Sequence, residues 1–130
     1  GQVMSDYQDE QMGDIARMLG QSYAALATVC LNLPVPVTLP TGAVSSEDAA
    51  PAVRRVVEIV KEMPMPERTQ ADLFSACVYW LGALDIYSIM ASEYHPVRGH
   101  SAVANILAAE SALQDLAEWL YGQQHPDEQQ

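Results

Sequence analysis

Apolar residues in the first part of the chain recur at intervals of three or four positions, the spacing of one face of an α-helix. The members of this face are Met12, Ile15, Leu19, Tyr23, Leu26, Cys30 and Leu33. The pattern predicts a long amphipathic first helix between Asp6 and Leu33. Gly13 and Gly20 lie on a neighbouring face, and each costs about 1 kcal/mol of helix propensity relative to alanine. Either a neighbouring helix approaches closely at these glycines or they are tolerated weak points.

Prolines interrupt the stretch that follows, at Pro34, Pro36 and Pro40. Proline fixes φ and lacks the backbone N–H that a helix needs, so an extended path is expected here. Valine and leucine residues lie between these prolines. They indicate that this connection packs along the domain instead of forming a free linker.

The second predicted helix runs from about Asp48 to Met63. Ser45, Ser46 and Asp48 are suitable N-caps, and with Asp48 as the cap Pro51 would lie in the first turn, where its missing N–H does no harm. The apolar stripe of this helix consists of Val53, Val56, Val57, Val60 and Met63. Charged residues cover the opposite side, as expected for a face in contact with solvent.

The third predicted helix, from Thr69 to about Tyr94, is apolar on every side. Thr69 followed three residues later by Asp72 resembles a capping box at its start, and a proline beyond Tyr94 ends it. Asp85 is the only charged residue between positions 73 and 91. A helix of this kind must be buried on several sides, in a bundle core, in a dimer interface or in a membrane. We expect a central or dimerising helix and no membrane insertion.

The fourth predicted helix begins at Ser101 as N-cap and ends at Gly122. Its inward residues are expected to be Val103, Ile106, Leu107, Leu113, Leu116, Ala117 and Leu120. The four elements predict an all-α four-helix bundle, mainly antiparallel, with a Pro-rich extended connection between helices 1 and 2. One domain covers residues 6–122. Residues 1–5 are interpreted as a tag remnant and N-terminal segment, and residues 123–130 as a disordered tail.

Charge restricts the classes of partner. Six Lys and Arg residues stand against seventeen Asp and Glu residues, for a formal net charge of -11. Such a surface repels phosphate backbones, so direct nucleic-acid binding is not expected, but it would attract a basic protein surface. Cys30 and Cys77 fall in apolar helical stretches and are expected to be buried free thiols, which is typical of the cytoplasm.

Two carboxylates are the candidate catalytic residues. Asp85 is isolated in the most apolar helix, and Glu110 lies close to the inward stripe of the fourth helix. A buried carboxylate has a raised pKa and can act as a general acid or base. If either residue instead lies at the edge of the bundle and reaches water, its role is structural.

Aromatic and polar residues concentrate towards the end of the third helix and the loop beyond it. The candidate ligand-binding residues are Trp80, Tyr87, Met90, Tyr94, His95 and His100. They would surround a pocket between helices 3 and 4 that takes an apolar or aromatic small molecule. Each also has an ordinary alternative, such as a tyrosine ring inside the protein with its hydroxyl in water.

No cofactor or metal is predicted. Glu93, His95 and His100 are a weak set of metal ligands, because Pro96 prevents the two histidines from sharing one helical face. Phosphate-binding loops, nucleophile turns and zinc-finger spacings do not occur in the sequence.

Two hypotheses for function follow. The first is a protein-interaction domain of the inhibitor, immunity or regulatory-subunit type, which binds a basic partner or associates with itself through helix 3. The second is a small-molecule binding protein or cofactor-free enzyme that uses Asp85 or Glu110 in a pocket between helices 3 and 4. Mimicry of nucleic acid ranks below both, because the acidic residues are spread over every segment.

Overall fold

Four long α-helices carry most of the chain in the computed structural model, which describes the backbone of residues 2–129 and the side chains of residues 6–127. They are α1 (Gln2–Leu31), α2 (Ser46–Ile59), α3 (Glu67–Ser92) and α4 (Pro96–Gln124). Short 3-10 helices follow α2 at Val60–Glu62 and α4 at Pro126–Gln129. No strand occurs within residues 2–129. The predicted all-α four-helix bundle is confirmed.

Helix α3 is the centre of the bundle, because it packs against α1, α2 and α4. Helix α2 runs antiparallel to it: Ser46 at the start of α2 lies near Ser88, and Val60 just beyond its end lies near Phe74. A connection of three residues joins α3 to α4, so these two helices form an antiparallel hairpin. The bundle is therefore mainly antiparallel, as the sequence predicted.

Helices α1 and α4 are the exception, because they run parallel. Near one end the side chain of Gln11 lies against Gly99, where an added Cβ would collide with it. Further along both helices, Ser22 Oγ donates a hydrogen bond of 2.9 Å to Glu110 Oε1. Gln11 precedes Ser22 on α1, and Gly99 precedes Glu110 on α4, so the two helices run in the same direction. This direction requires the connection after α1 to cross back along the bundle.

The proline-rich connection makes that crossing while packed against α1. The backbone N–H of Val37 donates to the Cys30 carbonyl at 2.9 Å, and Tyr23 Oη donates to the Pro40 carbonyl at 2.6 Å. Leu33 and Leu39, which belong to this connection, are buried. The prediction that this segment packs along the domain is confirmed, because its leucines bury apolar surface while tyrosine satisfies a carbonyl that has no helical partner.

The core is built from the apolar stripes that the sequence indicated. Its fully buried large side chains include Ile15, Leu26, Val53, Val56, Leu73, Met90, Ile106 and Leu116. Cys30 and Cys77 are both buried and free, as predicted. Burial raises the pKa of Cys30 to about 11. Burial, and to a smaller extent the neighbouring Cys30, also raises the pKa of Cys77, so both thiols stay protonated at neutral pH.

The start of α3 differs from the prediction, whereas α2 begins after Ser45, one of its three candidate N-caps. Pro66 precedes α3, and its carbonyl accepts the Gln70 N–H at 2.9 Å. Thr69 is therefore not an N-cap; it lies within the first turn of α3 and is buried. The predicted capping box was wrong because α3 already begins at Glu67, two residues before Thr69.

Helix α4 begins five residues before Ser101. Pro96 occupies its first turn, where proline is favoured, and His95 Nδ1 accepts the Val97 N–H at 3.1 Å. The helix also continues past Gly122 to Gln124, where the His125 N–H donates to the Tyr121 carbonyl. At the other end of the chain, α1 already includes residue 2 and stops at residue 31. The assigned domain limits and the disordered tail stay predictions.

Two residues expected to face inward on α4 do not. Leu107 is 54% exposed, and Ala117 is exposed as well. Gly13 and Gly20 are also exposed, and an added Cβ at either would meet nothing within 4 Å. Close approach of a neighbouring helix is thus excluded as the reason for these two glycines. It is Gly99, in the first turns of α4, that a neighbouring side chain approaches closely.

Candidate functional site

A cleft of about 440 Å³ opens between α1, α3 and the start of α2. Its walls on α1 are Ala16, Leu19, Gly20 and Tyr23. Its floor on α3 is Trp80, Leu84, Tyr87, Ser88 and Ala91. The far wall is Val44, Ser46 and Ala49. The cleft is the best-formed concave site in the part of the chain that the structure describes.

The cleft exists because α1 and α2 both rest on α3 without packing on each other in the described residues. The extended connection ends at Val44 and delivers α2 to the far side of α3. Small residues then keep the gap open, since Gly20 on one wall and Ala49 on the other project little or no side chain. Bundle interiors commonly form ligand sites between facing helices in this way.

Aromatic rings form the deepest part of the cleft. The rings of Tyr23 and Trp80 lie 5.4 Å apart between centroids at an interplanar angle of 44°. Trp80 Nε1 donates a hydrogen bond of 3.0 Å to the Leu19 carbonyl, which fixes the indole against α1. Burial, and secondarily the neighbouring Cys30, raises the pKa of Tyr23, so its hydroxyl stays a donor to Pro40. The floor is therefore a rigid aromatic surface.

Few polar groups in the cleft are available to a ligand. Ser88 Oγ already donates to the Leu84 carbonyl at 3.0 Å. Tyr23 Oη and Trp80 Nε1 likewise donate to backbone carbonyls. Ser46 Oγ and Tyr87 Oη make no hydrogen bond to any described group, so both can face a bound molecule. No Asp, Glu, Lys, Arg or His is among the lining residues. Such a site favours a neutral, largely apolar molecule with one or two hydrogen-bonding groups.

The predicted ligand-binding residues are only partly brought together. Trp80 and Tyr87 line the cleft. Met90 is fully buried in the core. Tyr94 Oη donates a hydrogen bond of 2.6 Å to Gln11 Oε1 and so ties the end of α3 to α1. The cleft also lies elsewhere than expected, because no residue of α4 lines it.

The two histidines and their neighbours have local roles. His95 caps α4, and His100 is exposed in the first turns of that helix. Arg98 forms an ion pair of 3.6 Å with Glu93 across the same turn. Among residues 6–127, no three His, Cys, Asp or Glu side chains lie close enough together to hold a metal ion.

Neither of the two candidate catalytic carboxylates lines the cleft. Glu110 is exposed and accepts the hydrogen bond from Ser22, whose own side chain is buried between α1 and α4. Asp85 is exposed on the outer side of α3, in a shallow groove with Arg54 and Glu58 of α2.

Most of the residues that line the cleft could not be recognised from the sequence. Tyr23 was assigned to the core face of α1, and Ser46 and Ala49 carry no periodic signal that distinguishes a wall from a surface. Gly20 had a signal, an exposed helical glycine on the face next to Tyr23. Gly20 can be recognised as part of a cleft only when the position of α2 is known, and α2 begins more than twenty residues further along the chain.

No protein family model matches this chain, and neither the curated proteins nor the solved structures contain a match. The site must therefore be interpreted from its own geometry.

Proposed function

We propose that this protein binds a small, uncharged, mostly apolar molecule with a flat aromatic or alicyclic part in the cleft between α1, α3 and the start of α2. The observation that carries the proposal is the aromatic floor of a 440 Å³ site without charged lining residues, in which Tyr23, Trp80 and Ser88 donate their hydrogen bonds within the protein. Its volume lies within the range of about 300–1,000 Å³ typical of small-molecule sites.

Binding without catalysis is the form of this function that the lining supports. General acid or base catalysis requires a titratable group within hydrogen-bonding reach of the substrate. The cleft offers only the hydroxyl groups of tyrosine and serine, and Asp85 and Glu110 lie outside it. The ligand is expected to lie on Trp80 and to hydrogen-bond to Tyr87 Oη or Ser46 Oγ at the mouth.

Gly20→Leu tests the proposal, because the new side chain projects into open space in the cleft. The neutral dye N-phenyl-1-naphthylamine is the probe, and its fluorescence rises when it leaves water. Wild type is expected to bind the dye saturably, and Gly20→Leu to weaken binding at least about tenfold, which corresponds to about 1.4 kcal/mol. The variant should remain folded, since leucine gains about 1 kcal/mol of helix propensity over glycine.

Gly13→Leu is the matched control, because Gly13 is equally exposed in α1 and makes the same propensity gain without reaching the cleft. It should bind the dye as wild type does. Equal weakening in both variants, or undiminished binding to Gly20→Leu, would show that the dye does not occupy the cleft and would overturn the assignment.

A second function, recruitment of a basic protein, is favoured by the distribution of charge. Helices α1 and α4 together carry seven acidic residues and two basic residues. Both basic residues are already paired with acids, Arg17 with Asp14 at 3.1 Å and Arg98 with Glu93. The other four basic residues lie between Arg54 and Arg68. The α1/α4 side is therefore the surface that would steer a basic partner.

Two double variants that change net charge equally test this second function with fluorescent decalysine as the probe. Asp115→Lys with Glu118→Lys alters the α1/α4 side, and Glu47→Lys with Glu62→Lys alters the α2 side. We expect the first pair to weaken decalysine binding at least about threefold more than the second, and wild-type binding to fall when salt rises from about 50 to 500 mM. Equal effects of the two pairs would mean that net charge alone attracts the peptide.

A further inference from the structure

Large apolar side chains are exposed along an outer face of α3 that does not line the cleft. Phe74 is 43% exposed, Val78 is 41% exposed and Ile89 is 46% exposed. Their spacings of four and eleven residues, with the exposed Asp85 between Val78 and Ile89, place them on one helical stripe. We call Phe74, Val78, Asp85 and Ile89 the outer stripe.

Helix α3 has more exposed surface than is expected for a helix that is apolar on every side. Within the described residues it is the one helix long and apolar enough to cross a membrane, and only a third of its most apolar window is buried inside the bundle. An apolar helix exposed to this extent leaves unburied surface that association can remove from water. The outer stripe is the continuous part of that surface.

Charged groups beside the outer stripe are complementary to each other. Arg54 of α2 and Asp85 of α3 line the same shallow groove as Val78, which has a volume of about 460 Å³. Both side chains are exposed, and neither forms an ion pair with another described residue. The groove therefore presents one unpaired cation, Arg54, and two unpaired anions, Asp85 and Glu58, at the edge of an apolar stripe.

We propose that the outer stripe is the interface for a second copy of this chain, packed antiparallel about a two-fold axis between Leu81 and Gly82. Positions 74 and 89 are equally far from that midpoint, as are positions 78 and 85. Phe74 of each copy then meets Ile89 of the other, and Asp85 of each copy comes within reach of Arg54 of the other. A two-fold interface needs a self-complementary patch, and this arrangement supplies one.

The charge distribution favours a second copy on this face over other occupants. Approach of two copies through α1 and α4 would oppose the seven acidic residues of one to those of the other. Acidic residues also stand at both ends of α3, Glu67 and Glu93, where they would repel the anionic surface of a membrane. The outer stripe is an apolar face that has a cation, Arg54, in the same groove as its own Asp85.

Sedimentation velocity and native mass spectrometry test the interface over about 1–200 µM protein, since dimer formation obeys mass action. Wild type should pass from the 14.2 kDa chain to twice that mass. Val78→Glu should weaken the dimer at least about thirtyfold, because it places a charge at the centre of the contact. The control Leu107→Glu changes an apolar residue of α4 that is 54% exposed, against 41% for Val78, and should leave the dimer unchanged.

A charge exchange decides whether the partner is a second copy in this orientation. Asp85→Arg and Arg54→Asp should each weaken the homodimer by about tenfold, and an equimolar mixture of the two should form heterodimers, since each opposed pair is then of opposite charge. A wild type that stays monomeric up to about 200 µM would overturn the proposal. A dimer insensitive to Val78→Glu, or a mixture without heterodimers, would overturn it too.

The test is independent of ligand binding. Val78 does not line the cleft and Gly20 does not belong to the outer stripe, so Val78→Glu should leave dye binding intact, and Gly20→Leu should leave the dimer intact. A loss of both properties in one variant would indicate unfolding, which far-ultraviolet circular dichroism of the same samples detects.

Discussion

Trp80→Ala is expected to lower the free energy of unfolding by about 3–5 kcal/mol, the range found for removal of a buried aromatic side chain. The indole is buried where α1 and α3 cross, and it packs against Tyr23 with ring centroids 5.4 Å apart. Its Nε1 also donates to the Leu19 carbonyl at 3.0 Å. Alanine would remove the ring contacts and the hydrogen bond together, and would join the vacated space to the cleft.

Urea unfolding followed by circular dichroism at 222 nm, with linear extrapolation to water, measures this loss. Stabilities of small domains are about 5–15 kcal/mol, so the alanine variant can be largely unfolded. Trp80→Phe keeps most of the ring and loses the donor, and a cost of about 1–2 kcal/mol is expected for it. A loss below about 1.5 kcal/mol for Trp80→Ala would show that the crossing of α1 and α3 does not depend on this residue.

Met90→Ala is the second change with a large expected effect, a loss of about 2–5 kcal/mol in the free energy of unfolding. Met90 has a relative exposure of 0%, although it lies only two residues before Ser92, the last residue of α3, and its neighbour Ile89 is 46% exposed. Truncation would leave a cavity between packed helices. The residue was a candidate ligand contact from sequence, and the structure makes it part of the core.

Two comparisons separate a core role from a ligand-binding role for Met90. Leu107→Ala, at an exposed leucine on α4, should change stability by no more than about 0.5 kcal/mol. Met90→Leu conserves volume, so it should retain most of the stability and bind the dye as wild type does. Loss of dye binding by Met90→Leu at unchanged stability would return the residue to the ligand site.

The candidate site was only partly predictable from sequence. Trp80 and Tyr87 could be selected because aromatic residues on an apolar helix commonly line pockets. Asp85 and Glu110 were selected because each is a charge close to an apolar stripe, but a helix turns about 100° per residue and one step decides between core and solvent. His95 looked like part of a pocket mouth and instead accepts a backbone hydrogen bond at the start of α4.

Local patterns in the sequence determined the all-α class, the four helices, the extended proline connection and the burial of the two cysteines, because helical periodicity and proline geometry act within a few residues. Tertiary structure alone decided that α1 and α4 run parallel, that α1 and α2 stand apart over Trp80, and which sides of α3 are buried. In an amphipathic helix, the apolar stripe shows which side of the helix faces the core. Helix α3 is apolar on every side, so its orientation is set by contacts with residues far away in the chain.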